Sequence, residues 1–223
     1  MTAAHVSVDG PDSAGVAVLA LERPDKRNAL SIALRDEMSD ALDQLAGDDA
    51  LRALIVTGAG KTFSAGFDLD EFTRPDIADA LWASSDRWHR TVLTFPLPTI
   101  AAVNGPALGG GFDLAVMCDL RVASDTARFA HPEHRFSQVI YGPLHDLVGG
   151  ARARDLVLTG RTVDAATAET LGLVTRVVPG DALAAEAHAI ATEIAAAPRP
   201  ILAQMKAKIL RRGAVAVGPT LDL

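Results

Sequence analysis

Cysteine is almost missing from this sequence: Cys118 is the single one in 223 residues. No disulfide can form within one chain, and a zinc site built from several cysteines is excluded. The lone thiol lies in an apolar stretch, which reads as a buried structural position. Aromatic residues are also scarce, at 4%, so the interior has to be packed through Ala, Gly, Leu and Val with backbones close together. Basic residues number 21 against 28 acidic ones, a formal net charge of -7. That balance excludes a general electrostatic footprint for nucleic acid. An anionic ligand on such a protein needs a local basic cluster or backbone N–H groups. No apolar run approaches the roughly 18 residues required to cross a bilayer. The opening Met-Thr-Ala-Ala-His-Val lacks the basic-then-apolar pattern of a signal peptide. The expectation is a cytoplasmic protein with no membrane partner.

What is present suits a folded globular chain, with 49% hydrophobic and 22% charged residues. Residues 15–21 (GVAVLAL), 51–57 (LRALIVT), 99–104 (TIAAVN) and 120–123 are short apolar runs between turn-forming residues and read as strands. Leu30, Leu34, Met38, Leu42 and Leu45 recur at helical spacing behind a candidate cap, Ser31. Further helices are expected over 76–93 and 112–117. After Gly149 the pattern turns helical, over 151–158, 164–171, 182–196 and 201–212. Strand and helix alternate with short joints, which argues for an α/β fold with parallel pairings. The organisation expected is an α/β core over 1–160 and a helical C-terminal region over 161–223.

Several motifs fail on inspection. Gly58-Ala-Gly-Lys-Thr62 resembles the end of a phosphate-binding loop, but Ile55 stands where the first glycine belongs. A dinucleotide fingerprint starting at Gly58 or Gly109 loses its third glycine to Phe63 or Leu114. Ser64 is not in a nucleophile elbow, because Thr62 replaces the glycine two residues earlier. His131 and His134 are close in sequence, but two ligands do not define a metal site, and none is expected.

Two glycine-containing turns survive. The first runs Phe63-Ser-Ala-Gly-Phe-Asp-Leu69, and the second Asn104-Gly-Pro-Ala-Leu-Gly-Gly-Gly-Phe-Asp113. Glycines before a helix let the backbone place N–H groups where a side chain would clash. The first N–H groups of that helix are unpaired and lie at the positive end of its dipole. Two such turns can supply one oxyanion donor each. Either segment alone reads first as a structural turn, Asp113 can simply cap its helix, and Glu133 is equally an exposed loop residue.

Taken together, in order and spacing, these segments resemble the crotonase superfamily, the enoyl-CoA hydratase/isomerase family. The similarity begins at Leu21-Glu-Arg-Pro-Asp-Lys-Arg-Asn-Ala-Leu30 and continues through Ile55-Val-Thr-Gly58. It runs on through both glycine turns, Met117-Cys-Asp119, Leu156-Val-Leu-Thr-Gly160 and Ala168-Glu-Thr-Leu-Gly-Leu-Val174, nearly the whole chain. The resemblance implies a crotonase-like spiral of strand–strand–helix repeats with a short helical C-terminal extension, assembled as a homotrimer or a dimer of trimers. It implies an acyl group carried as a coenzyme A thioester, with no prosthetic group. The thioester oxygen would be held by the N–H groups of Phe67 and Gly110. Coenzyme A would run along the first turn, touching Ala29, Ser64, Ala65, Gly66, Asp68 and Leu69, with Lys26 and Arg27 toward its phosphates.

In the family's hydratases two glutamates handle water and proton, at positions occupied here by Asp113 and Glu133. Asp113 is one methylene shorter, which sets its carboxylate back by about 1.5 Å. The resemblance therefore implies hydration through both carboxylates, with two alternatives open: double-bond isomerisation by Glu133 alone, or coenzyme A thioester binding without turnover. The segment 136–149 is shorter than the family's loop, and Tyr141 and His145 within it are candidate polar groups of the acyl pocket. The chain also stops earlier than the family's C-terminal helices.

Overall fold

The computed structural model describes residues 4–135 and 137–212. The terminal segment Gly218-Pro-Thr-Leu-Asp-Leu223, and with it the question of how the chain ends, lies outside the described residues.

The chain opens with strands β1 (Val6–Asp9) and β2 (Val16–Leu21), followed by helix α1 (Ile32–Ala46) and strand β3 (Ala53–Gly58). Helices α2 (Leu69–Phe72) and α3 (Ala78–Leu93) lead to strands β4 (Thr99–Val103) and β5 (Ala107–Leu108), then α4 (Gly110–Met117). Strands β6 (Leu120–Ser124) and β7 (Arg128–Ala130) precede α5 (Gly142–Val148) and α6 (Gly150–Thr159). The last third carries β8 (Val163–Asp164), α7 (Ala165–Leu171), β9 (Arg176–Val178), α8 (Leu183–Ala195) and α9 (Arg199–Arg212).

The main sheet has the order β1-β2-β3-β4-β6-β9, parallel throughout except for antiparallel β1 at its edge. A parallel sheet needs cover on both faces, and the strands alternate accordingly. Ala17, Leu19, Leu21, Leu54, Val56, Ala101 and Val103 join the larger core with Leu34, Met38 and Leu42 of α1 and Trp88 and Val92 of α3. Val16, Ala53, Ile55, Ile100, Ala102 and Val122 face the other way, onto Leu183, Ala187, Ala191 and Ala195 of α8. Alanines four residues apart let α8 lie close to the sheet, as the shortage of aromatics demands. A second, three-stranded sheet, β5-β7-β8, stands beside it.

The expected helices and the four expected strands are present, and Ser31 caps α1 by accepting from Leu34 N–H at 3.3 Å. The stretch after Gly149 is not wholly helical: β8 pairs with β7, and β9 extends the main sheet beside β6. These strands are two and three residues long, too short for any alternation to show. Cys118 is buried, and burial pushes its thiol up to about 12.

Candidate active site

Loops leaving the carboxyl ends of β2, β3 and β4 converge on one place, where parallel sheets usually bind their ligands. The loop after β2 is locked by Asn28, buried with φ 53°. Its amide donates to Ala59 O and Thr62 O, and its Oδ1 accepts from Arg23 N–H. The first glycine turn is stitched to that loop by Ala65 N–H to Arg27 O, 2.9 Å, and to β5 by Leu108 N–H to Ser64 O, 2.9 Å.

This stitching frees the two candidate donors. In the bridge between Leu30 and Phe67, Leu30 N–H donates to Gly66 O and Leu30 O accepts from Asp68 N–H. Phe67 N–H therefore points to the other side. Gly110 N–H opens α4 and, like that of Phe67, has no acceptor among the described residues. The turns touch each other: a Cβ on Gly66 would stand 3.1 Å from Gly110 N and 2.7 Å from Leu108 O. Gly66 also has φ 89°, open to glycine at little cost.

The turns border a cavity of about 340 Å³. Ala65, Gly66, Phe67, Leu69, Gly110, Asp113 and Glu133 all line it, so seven of the residues picked from sequence meet there. Phe72 of α2 and Trp82 of α3 add apolar surface, Ser85 and His89 of α3 add polar groups, and residues 137–140 line the cavity as well. Glu133 is half-buried, its carboxylate 3.0 Å from where a Gly109 Cβ would sit. Burial raises its pKa, against the pull of its own backbone N–H and of His131.

Asp113 is buried in the first turn of α4, and its Oδ1 lies 2.7 Å from His131 Nε2. His131 is buried as well. Burial works against its charge, but Asp113, and then Glu133, leave the net pKa raised. Single donor or acceptor atoms of Asp113, His131 and Glu133 fall within 4.8 Å of one another. Water bridged between two carboxylates needs about 2.8 Å to each, so this spacing suits one molecule held by both.

The remaining picks stand apart from the cavity. Ser64 is fully buried, its hydroxyl donating to Asn28 O and accepting from Gly66 N–H. Asp68 caps α2 and pairs with Arg23 at 3.1 Å. Ala29 offers its carbonyl to the same guanidinium. Lys26 and Arg27 are exposed, Lys26 3.6 Å from Asp70. Tyr141 and His145 pack on each other at 5.4 Å between ring centroids, with His145 exposed.

Two residues escaped the sequence reading. His131 was weighed there only as a metal ligand. Arg35 lies buried on α1 with its guanidinium 4.7 Å above the Phe67 ring. It bonds Ser84 Oγ and Leu81 O, and burial lowers its pKa to about 10. A buried cation behind an oxyanion donor adds positive potential there. Its position amid α1 leucines gave no sign of this.

Comparison with known proteins places the chain in a family. The family model described as enoyl-CoA hydratase/isomerase matches residues 12–218. The protein named "Probable enoyl-CoA hydratase echA8" from Mycobacterium bovis is 45% identical over 184 residues, 80% of this chain and 71% of its own length. A solved enoyl-CoA hydratase/isomerase from Pseudoalteromonas atlantica superposes with TM-score 0.89 at 34% identity, covering 98% of this chain and 87% of that one. A monofunctional enoyl-CoA isomerase from M. smegmatis gives 0.83 at 31% identity, covering 96% of each.

Proposed function

The chain belongs to the enoyl-CoA hydratase/isomerase family, and from that premise we propose that it hydrates the double bond of a 2-enoyl-CoA thioester. The observation that carries this reading is the pair of carboxylates, Asp113 and Glu133, within one water's reach of each other beside two free N–H groups. The thioester oxygen sits between Phe67 N–H and Gly110 N–H. Water held by the two carboxylates adds its oxygen to C3 while Glu133 takes its proton. The C2–C3 electron pair moves toward the thioester oxygen, where the N–H groups stabilise the developing enolate. Glu133 then returns the proton to C2, so one water is added and the carboxylate is regenerated.

The acyl group lies against Phe67, Leu69, Phe72 and Trp82, an apolar lining that suits an unsubstituted short or medium chain. Coenzyme A follows the first turn, with Lys26 and Arg27 answering its phosphates on an otherwise acidic protein. No prosthetic group takes part. We place the protein in the cytoplasm as a homotrimer or a dimer of trimers, with residues 1–160 forming the acyl-CoA-binding core.

A second reading is double-bond isomerisation by Glu133 alone. It is favoured by the commitment of Asp113 Oδ1 to His131. The test is incubation with a short 2-enoyl-CoA and a 3-enoyl-CoA, following hydration and migration separately. Hydration abolished in both Glu133→Gln and Asp113→Asn supports the two-carboxylate reaction, each loss being about 10²–10⁴-fold. Migration lost only in Glu133→Gln means a one-base isomerase. Binding of both thioesters with no product means a binding protein.

A further inference from the structure

His131 touches both halves of the two-carboxylate site without lining the cavity. Its ring is clamped from α4, stacked on Phe112 at 4.6 Å between centroids and hydrogen-bonded to Asp113 one residue along. Its carbonyl accepts from His134 N–H at 3.2 Å and from His134 Nδ1 at 2.9 Å, which fixes the turn Pro132–Arg135 that carries Glu133. The other ring nitrogen, Nδ1, is buried with no partner among the described residues, so a charged ring carries one unsatisfied N–H and depends on Asp113 alone to offset that cost. Asp113 is thus the side chain's one polar anchor among the described residues, and the ring has no other polar group to orient toward.

We propose that His131 is a positioning residue that pairs with Asp113 and cancels its charge, so that Glu133 can ionise beside it. The proposal deepens the hydratase reading and rests on it for its consequence in turnover, though not for the electrostatics themselves. Two carboxylates this close resist simultaneous ionisation, and the proton stays on one of them. An imidazolium between α4 and the Glu133 turn removes that conflict: it faces Asp113 Oδ1 at 2.7 Å and holds that side chain in place, and Glu133 is left as the base. The raised pKa of His131 agrees with this. The other ionisable groups facing the cluster are few. His134 acts on Glu133 from the same turn. From α3, His89 interacts with Asp113, but burial lowers its pKa and keeps it neutral, and Arg35 of α1 lies behind it.

The test follows Glu133 itself. Carbon-13 NMR of the side-chain carboxyl gives its titration in the full-length wild type, His131→Gln, and Asp113→Asn/His131→Gln, with thermal unfolding of each as a check. In His131→Gln the uncompensated Asp113 charge moves the Glu133 titration up by about one pH unit. The acid limb of kcat/KM for 2-enoyl-CoA hydration moves with it, and kcat drops about ten- to a hundredfold, less than loss of the base itself. Removing the Asp113 charge as well brings the Glu133 titration back toward wild type, a reversal that a merely structural role would not produce. His131→Asn is carried in parallel should His131→Gln fold poorly. A Glu133 titration unmoved in His131→Gln and in His131→Asn overturns the proposal, and so does a shift that the double variant leaves in place. Absence of hydration by the wild type counts against the hydratase reading alone, because the NMR titration does not depend on turnover.

Discussion

Glu133 is held where its charge is costly: burial raises its pKa above the ordinary 4.5, and Asp113 adds to that, while its own backbone N–H and the imidazoles of His131 and His134 pull it down. Two consequences follow in opposite directions. As the base of the proposed reaction it works only when ionised, so that activity should fall as pH drops through its raised pKa. As part of the fold it binds its proton more tightly than the unfolded chain does. Between pH 4.5 and its raised value the native state holds more protons, so stability declines as pH rises through that window. Glu133→Gln should therefore melt above the wild type at pH 7, a gain that vanishes below pH 4.5, as scanning calorimetry across pH would show. Glu133 was picked out through the family resemblance, which its residue type and its spacing from the second glycine turn match, and the structure brings it to the cavity beside both turns. The Asp113–His131 pair was not legible in the sequence, since it joins positions 18 apart where Phe112 of α4 packs on Phe129 and His131, and no periodicity or motif reports such a contact.

At the scale of elements, the two glycine turns work as one object. A Cβ on Gly111 would meet Ser64 O at 2.4 Å and Ser64 Cβ at 2.7 Å, neither of them the free end of a flexible side chain. Gly111→Ala must therefore push α4 away from the first turn, moving Gly110 N–H relative to Phe67 N–H. Overpacking of this kind costs about 1–3 kcal/mol, and misplacing an oxyanion donor costs about 10²–10³ in kcat. Gly47→Ala is the matched control. Gly47 ends α1 at φ -85° with its nearest neighbour 3.5 Å from the added Cβ, and that variant should keep full activity and melt within a degree or so of the wild type. The α1 and α3 helices were readable because their apolar residues recur over four turns, long enough for a period to show. Strands β7 (RFA) and β9 (RVV) offer three residues each, and β1 (VSVD) is mostly exposed at a sheet edge. Helix α5 hid behind Tyr-Gly-Pro, a turn signal that here only opens the helix, with proline in its first turn.

Across the whole molecule, the question is whether the C-terminal helices form a separate unit or share one core with the site. Lys206 of α9 is 3% exposed and donates to both oxygens of Asp119, at 2.7 and 2.6 Å. Asp119 in turn accepts from the N–H and hydroxyl of Thr99, the first residue of β4. Arg121, buried beside it, reaches Leu173 O as well as Ala115 O and Cys118 O, and β9 completes the sheet beside β6. The chain's last third is therefore bonded to the strand whose loop builds the second glycine turn. Removing one member of a buried ion pair leaves the other unpaired, at about 3–5 kcal/mol. Lys206→Met should lower the stability of the entire chain by that order, in a single urea transition followed alike by circular dichroism and by fluorescence of Trp88 in a Trp82→Phe background, Trp88 being buried beside the site. Lys206→Met/Asp119→Asn should recover part of the loss, because the stranded charge is gone. Two separated transitions, with Trp88 unaffected by the first, would instead mean that 161–212 unfolds on its own and that the site's scaffold does not depend on it.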